Sequence, residues 1–408
     1  MSGLSPDRCG YTWPGNHEID DNPDHQNCCY RKTRPEEDYC PWHTGRTEKT
    51  ERDLLYAQSI EETLNEIEGI ETEGGKIKSQ STVADLGSDP IRIQEETFRV
   101  SNHEVAELLD GANMKGADLS SYSIRATALR DADLSDTNLK YSNFSECFLQ
   151  NADLSGSDLT HADLSRTNLH GVDFSEASLR NTDLSGAVLS SASLPVSDLE
   201  EPNLSNVTFP DANLSGRGLF HTDISNAQLV RADLSAAYLV KADLTGASLQ
   251  DADLSDANLR DATLNDANLR NVDLSEVSLC DAELSDVNLS GADLSGADIR
   301  GANLSNADLR DADFSEARLR DANLSDADLR EATLQRLDAE GADFTNANLT
   351  EASLAGADCE NADFENAVLV RASLENTDLV DVNLSGAHLF GTRLDGARID
   401  SASQLVAE

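Results

Sequence analysis

Residues 251–270 read DADLSDANLRDATLNDANLR, and the leucine returns at every fifth position. Each unit is alanine, a polar residue, leucine, then two further residues that are mostly polar. Followed outward, the central apolar position runs from Leu119 to Ile399 without a slip, through 57 consecutive units. Of these, 45 carry Leu, six Phe and four Ile, so substitution at the centre stays apolar; Ala339 and Cys359 fill the other two.

A period of five suits neither an amphipathic helix, which needs spacings of three and four, nor a half-buried strand, which needs two. On a straight helix, residues five apart lie about 140° apart, so the leucines would spiral over the surface and bury nothing. A short period held this long instead indicates a solenoid, in which each unit buries its apolar face only against its neighbours. Side chains two apart on an extended segment point the same way. The alanine and the leucine of each unit therefore share one interior, and the expected class is an all-β solenoid.

The pattern resembles that of the pentapeptide-repeat family, A(D/N)LXX, over roughly 285 of the 408 residues. The resemblance implies a right-handed quadrilateral β-helix with four units to a coil of about 20 residues. It would have about 14 coils stacked at about 4.8 Å, a rod on the order of 65–70 Å long. Leu284, Leu304 and Leu324 would then form an interior ladder. The solenoid is expected over residues 116–400, with residues 401–408 as a tail.

Residues 1–46 differ in composition from everything after them. They hold Cys9, Cys28, Cys29, Cys40, His17, His25, His43 and both tryptophans. Cys40-Pro-Trp-His43 sets two ligand types at a two-residue gap. Adding Cys9 and either Cys28 or Cys29 completes a Cys3His tetrahedron, a structural zinc site drawn from four of these five residues. In a segment too short for a core, metal supplies folding energy. A disulfide-stapled or loosely ordered segment is the plainer alternative, and a cytosolic location argues against stable disulfides. Similar CC and CxWH elements occur in haloarchaeal pentapeptide-repeat proteins.

Residues 47–68 suit an amphipathic helix, with Leu54, Leu55, Ile60, Leu64 and Ile67 roughly on one side and Glu51, Glu61, Glu62 and Glu66 opposite. Residues 69–100 are read as a linker, mainly from the polar, glycine-containing stretch 69–88. In residues 101–115, Ser101 and Glu104 make a capping box ahead of Val105, Leu108 and Leu109, which predicts a short helix covering the first coil.

The chain carries 76 acidic and 31 basic residues, a net charge of −45, and only seven of the bases are Lys. A surface of this kind stays hydrated in molar salt, where screening mutes self-repulsion, so a halophilic source is the first expectation. Direct binding of nucleic acid is disfavoured, because the chain would repel phosphates. No apolar run approaches the roughly 18 residues of a membrane span, and the opening residues hold no signal peptide; a cytoplasmic location is expected.

Within the array, Ser usually follows the centre in alternate units (Ser235, Ser255, Ser275, Ser285, Ser295) and Arg often follows in the others (Arg260, Arg270, Arg300, Arg310, Arg320, Arg330). Four units per coil would place Ser on two opposite faces and Arg on the other two. Between Leu194 and Leu219 the pattern is strained by Pro195, Pro202, Pro210 and an inward Arg217, so the coil is expected to bulge or Arg217 to reach solvent. Phe220, Val230, Val240, Val370, Val380 and Phe390 are apolar at outward positions. Val370 and Phe390 fall one coil apart on one face, which makes the C-terminal end, with Val370, Val380 and Phe390, the candidate surface for a homodimer or a protein partner.

No Ser/His/Asp set, phosphate-cradling glycine loop or isolated carboxylate pair is visible, and no cofactor beyond zinc is expected. The chain is read as a non-enzymatic scaffold or protein-interaction rod. The alternative is an acidic DNA mimic that regulates a type II topoisomerase such as gyrase, because family members that confer quinolone resistance act on gyrase. This chain lacks the insertions between repeats that form projecting loops in some of those proteins.

Overall fold

The computed structural model describes residues 109–195, 199 and 201–400, with the backbone of residues 72–73, 76–77 and 98–99. The array winds into a four-sided solenoid. Residues just before a centre bridge in parallel to those twenty positions on, as Asp233 does to Asp253, Asp253 to Asp273 and Asp273 to Asp293. Four units complete a coil, and we number the faces from the first full coil. Face one carries Met114, Leu134 and Leu154; face two Leu119 and Leu139; face three Ile124 and Phe144; face four Leu129 and Leu149.

The repeat is explained by the fate of its five N–H groups, as the unit Ala252–Asp256 shows. Leu254 donates to the Asp273 carbonyl one coil on (2.7 Å), and Asp253 to the Ala232 carbonyl one coil back (2.9 Å). Ala252 closes a turn on the Leu249 carbonyl (3.0 Å), and Asp256 donates to the Ser275 carbonyl (2.9 Å). The fifth, on Ser255, has no backbone acceptor in reach and takes the Asp253 side chain instead, N to Oδ1 2.9 Å. All five donors are satisfied, as a backbone walled into a coil requires. Asp or Asn before the centre is thus a local capping acceptor. Ser after the centre adds a second bond, Ser255 Oγ to Asp253 Oδ1 at 2.6 Å.

Every corner turns through a positive φ two residues past the centre, such as +57° at both Asp251 and Asp256. With the i to i+3 bond this is the pattern of a type II turn, which favours Gly and Asn, and Asp among other L residues. The abundance of Asp, Asn and Gly at that position follows.

The interior is dry and layered. Leu284, Leu304 and Leu324 are fully buried, and the alanine two residues before each is buried with it. Phe344 and Phe364 stack with ring centroids 4.8 Å apart and planes 4° from parallel, the spacing of one coil. Where Leu337 and Ala339 exchange the large and small positions, both remain buried, so the interior volume is conserved. Several threonines in the alanine slot return their hydroxyls to the coil before, as Thr137 Oγ1 does to the Met114 carbonyl (3.1 Å) and Thr182 Oγ1 to the Leu159 carbonyl (2.9 Å).

The solenoid begins earlier than the sequence pattern suggested. Residues 109–115, the second half of the expected capping helix 101–115, are wall: Ala112 and Met114 are buried, and Met114 N donates to the Asp133 carbonyl at 2.7 Å. Met in place of Leu hid a unit that obeys the rule. Residues 101–108 lie outside the described residues. Within the stretch read as linker, β1 (Thr72–Glu73) pairs antiparallel with β2 (Lys76–Ile77). Further on, β3 (Phe98–Arg99) pairs in parallel with β4 (Ile124–Arg125), adding a rung to face three. At the other end β5 (Asp378–Leu379) pairs with β6 (Arg398–Ile399), again twenty residues apart.

One coil departs from the rest. No bridge joins Ser193 to Asn213 on face one, although the bridges from Asp183 to Asn203 and from Val188 to Thr208 persist on faces three and four. Arg217, in the inward alanine slot, is half-buried and donates from Nη1 to the Pro195 carbonyl, while its Nε is buried without a partner. Thr222 Oγ1 is also buried without a partner. The expected disturbance therefore shows as an open rung on face one, with the Arg217 guanidinium bonded to the Pro195 carbonyl at the corner that follows.

Candidate interaction surface

The twenty-residue register sorts the surface charge by face. From residue 171 to residue 331, every Arg and Lys among the described residues sits in a unit of face two or face four. Faces one and three carry Ser beside their acids instead. On face one, Asp233, Asp253, Asp273, Asp293 and Asp313 follow one another at successive coils.

On the even faces the arginines are used locally. Arg310 forks onto Asp308 (Nε–Oδ1 2.7 Å, Nη2–Oδ2 2.6 Å), and Arg330 onto Asp328 in the same way. Arg300 forks onto Asp298, and Arg320 reaches Asp338 and Glu340 in the next coil. Hydrogen bonding from Arg310 holds the Asp308 carboxyl below its ordinary range, and Arg300 does the same to Asp298. Such exposed pairs neutralise the surface while adding little stability.

The C-terminal coils present apolar surface. Phe390 is 76% exposed, one coil beyond the half-buried Val370, and Arg371 N donates to the Phe390 carbonyl. Val380 is half-buried on the opposite side of the coil, in a face-two unit. The centres that close the rod, Leu389, Leu394 and Ile399, are only partly buried. Sequence spacing thus found Val370 and Phe390 together, with Val380 apart from them. Residues Cys9, Cys28, Cys29, Cys40 and His43 lie outside the described residues.

A second apolar patch was only half legible. Phe220 and Tyr238 stack on face two, 5.7 Å between centroids, and are 44% and 49% exposed. Tyr238 stands in the Asp/Asn position before a centre, and that departure was the available signal. Further up the same side Tyr141 stacks on His161 at 5.0 Å.

Among the described residues no cluster of side chains resembles a reaction centre. Cys147 and Cys359 are buried, and burial raises both thiols, Cys147 to about 12, so neither is a nucleophile at neutral pH. Asp358, Glu360 and Asp378 bring oxygens within 4.8 Å of one another, but Arg398 already pairs with Asp378. Among the described residues no helix is long and apolar enough to cross a membrane.

These features define a class, a repeat rod. Comparison with known families makes it specific. A model described as pentapeptide repeats (8 copies) matches residues 132–171, 167–201, 177–216, 196–235, 227–266, 334–369 and 367–403, and one for a pentapeptide repeat region matches residues 267–344. The chain belongs to the pentapeptide-repeat family, a family of repeat scaffolds whose fold is the right-handed quadrilateral β-helix.

Among solved structures it is similar to HetL, a pentapeptide repeat protein involved in heterocyst differentiation regulation from the cyanobacterium Nostoc sp. That match has 27% identity over 69% of this chain and 91% of that one, with a TM-score of 0.15. Rfr23 from the cyanobacterium Cyanothece 51142 matches at 31% identity over 26% of this chain and 62% of that one, TM-score 0.16. QnrB1, a plasmid-mediated fluoroquinolone resistance protein, matches at 18% identity over 48% of this chain and 91% of that one, TM-score 0.23. The family assignment rests on the repeat models and not on these superpositions. No curated protein matches the chain.

Proposed function

We propose that the protein is a non-enzymatic interaction rod that self-associates through its C-terminal coils. The observation that carries this reading is the apolar end: Phe390 stands 76% exposed over Val370, beside terminal centres that their own coil leaves partly uncovered. A second copy would bury those centres and continue the ladder beyond β6. Sedimentation of the full chain is expected to give a dimer that Phe390→Asp converts to monomer. A monomeric wild type, or a dimer indifferent to that substitution, would reject the reading. We further propose a structural zinc at four of Cys9, Cys28, Cys29, Cys40 and His43, supported by the Cys40–His43 spacing. Metal analysis is expected to find about one zinc per chain, lost in Cys40→Ser.

A second reading is favoured by the sorting of charge. Faces one and three, free of bases over the central coils, offer two parallel acidic stripes that a DNA-handling protein such as gyrase would accept in place of a duplex. The test is gyrase supercoiling titrated with the full chain at its working salt. Inhibition near stoichiometry would promote this reading, and its absence would remove it.

A further inference from the structure

We infer that the rod carries a built-in joint: residues 109–195 and residues 201–400 are two solenoid blocks that hinge by opening and closing the face-one rung between Ser193 and Asn213. The interior marks where the first block stops. Among the described inward positions from Thr127 to Leu384, only Ala192, Leu194 and Arg217 are not buried. Ala192 and Leu194 are partly buried in the manner of Leu389, Leu394 and Ile399, which close the rod at its C-terminal end. In the middle of the chain, face one thus has the packing of an end.

The backbone ladder breaks at the same place. A regular coil donates from Asp253 N to the Ala232 carbonyl, from Leu254 N to Asp273, from Asp251 N to Arg270 and from Asp256 N to Ser275. The matching bonds from Asn213 N to Ala192, from Leu194 N to Asn213, from Ser191 N to Pro210 and from Glu176 N to Pro195 do not form. Elsewhere around the coil the ladder is continuous, through Asp183, Asn203 and Asp223 on face three and through Val188, Thr208 and Gln228 on face four. Parting on face one, with the opposite face held, tilts the first block toward face three.

Arg217 sets the balance. Its Nη1 takes the Pro195 carbonyl, the acceptor that Glu176 N would use in a regular coil, so this bond competes with closure of the ladder. The open arrangement gains that bond, forgoes the ladder bonds and leaves Arg217 Nε buried without a partner. The two arrangements therefore lie close in free energy, as a joint requires. The blocks also differ inside. Inward slots of the first hold Thr127, Thr137, Ser142, Ser157, Thr167 and Thr182, all buried, while every slot from Ala227 to Ala372 is apolar. The first block is the weaker unit, and because a solenoid couples only through adjoining coils, the two open separately.

The test is amide hydrogen exchange of the full chain at working salt. Residues 129–190 are expected to be protected at least about tenfold less than residues 229–369, with the step falling between Ser191 and Leu214. A closed rung holds Cα atoms about 4.8 Å apart, within reach of a disulfide. Ser193→Cys with Asn213→Cys is therefore expected to cross-link on oxidation, mapped by mass spectrometry, and to remove the step. Arg217→Ala frees the Pro195 carbonyl and should reduce the step. Phe390→Asp should leave it, which separates the joint from the proposed C-terminal dimer. A protection profile that declines smoothly toward both ends, a cysteine pair that does not cross-link, or a step that survives the cross-link would each overturn the proposal. So would a step unchanged by Arg217→Ala or abolished by Phe390→Asp.

Discussion

The coil from Ser193 to Arg217 and the coils from Ala227 to Leu369 obey the same five-residue count and differ in almost everything else. In the regular coils each rung is bridged, the turns are closed except at Leu334–Leu337, and apart from Leu337 the inward slots hold small apolar side chains. In the other, one rung is open, a guanidinium fills an inward slot, and Pro195 has no N–H to place in the turn. Yet Leu199, Leu204, Phe209, Leu214 and Leu219 all stay buried at 4% exposure or less. Register is thus held by the interior centres, and the ladder can lose a rung without losing the count.

That contrast is tested most severely by removing a centre from each region. Leu304→Ala, inside the regular stack, is expected to cost about 2–5 kcal/mol, since its neighbours above and below are fixed and the cavity stays open. Leu199→Ala, beside the open rung, should cost less because its surroundings can close in. Chemical denaturation of the two variants decides it. Equal losses would mean that the disturbed coil is packed as tightly as the rest.

Next in size is Arg217→Ala. It restores the residue the slot calls for and removes a buried Nε without a partner, so a gain of about 1 kcal/mol is expected. A loss of stability would show that the bond to the Pro195 carbonyl holds the opened corner together.

The architecture was legible in the sequence because one physical demand, burial of a centre in each unit, repeats without interruption. The Phe344–Phe364 stack could be placed from the spacing of twenty alone, and so could the Ser and Arg faces. The start was misplaced because Met114 satisfies the same demand without matching the letter. The reason for Asp or Asn before the centre was hidden for a different cause: it answers a backbone N–H, and hydrogen-bond accounting appears only once the turn geometry is known. The surface was least legible. Phe220 and Tyr238 are eighteen residues apart and meet only through the coil; Val380, grouped with Val370 and Phe390 by composition, stands on the other side.

The smallest effect separates the two roles of the acidic columns. Asp253 accepts from Ser255 through N and Oγ, and it also lies one coil from Asp233 and Asp273. Two like charges about 5 Å apart in water repel by a little under 1 kcal/mol, screened to near nothing at 1 M salt, where the Debye length is about 3 Å. Asp253→Asn keeps the acceptor and removes the charge, so it should raise the unfolding midpoint at low salt and leave it unchanged in molar salt. Asp253→Ala removes the same charge and discards the acceptor as well, so it should show the same salt dependence as Asp253→Asn, offset by a loss of about 1 kcal/mol. The disturbed coil supplies the internal control. In the same column, Asn213 faces Ser193 across the open rung and Asp233 on the other side, so Asn213→Asp adds one repulsive neighbour where Asp253 has two. Its salt dependence should be about half as steep. Equal slopes for the two sites would place the repulsion in the net charge of the whole rod and not in the column.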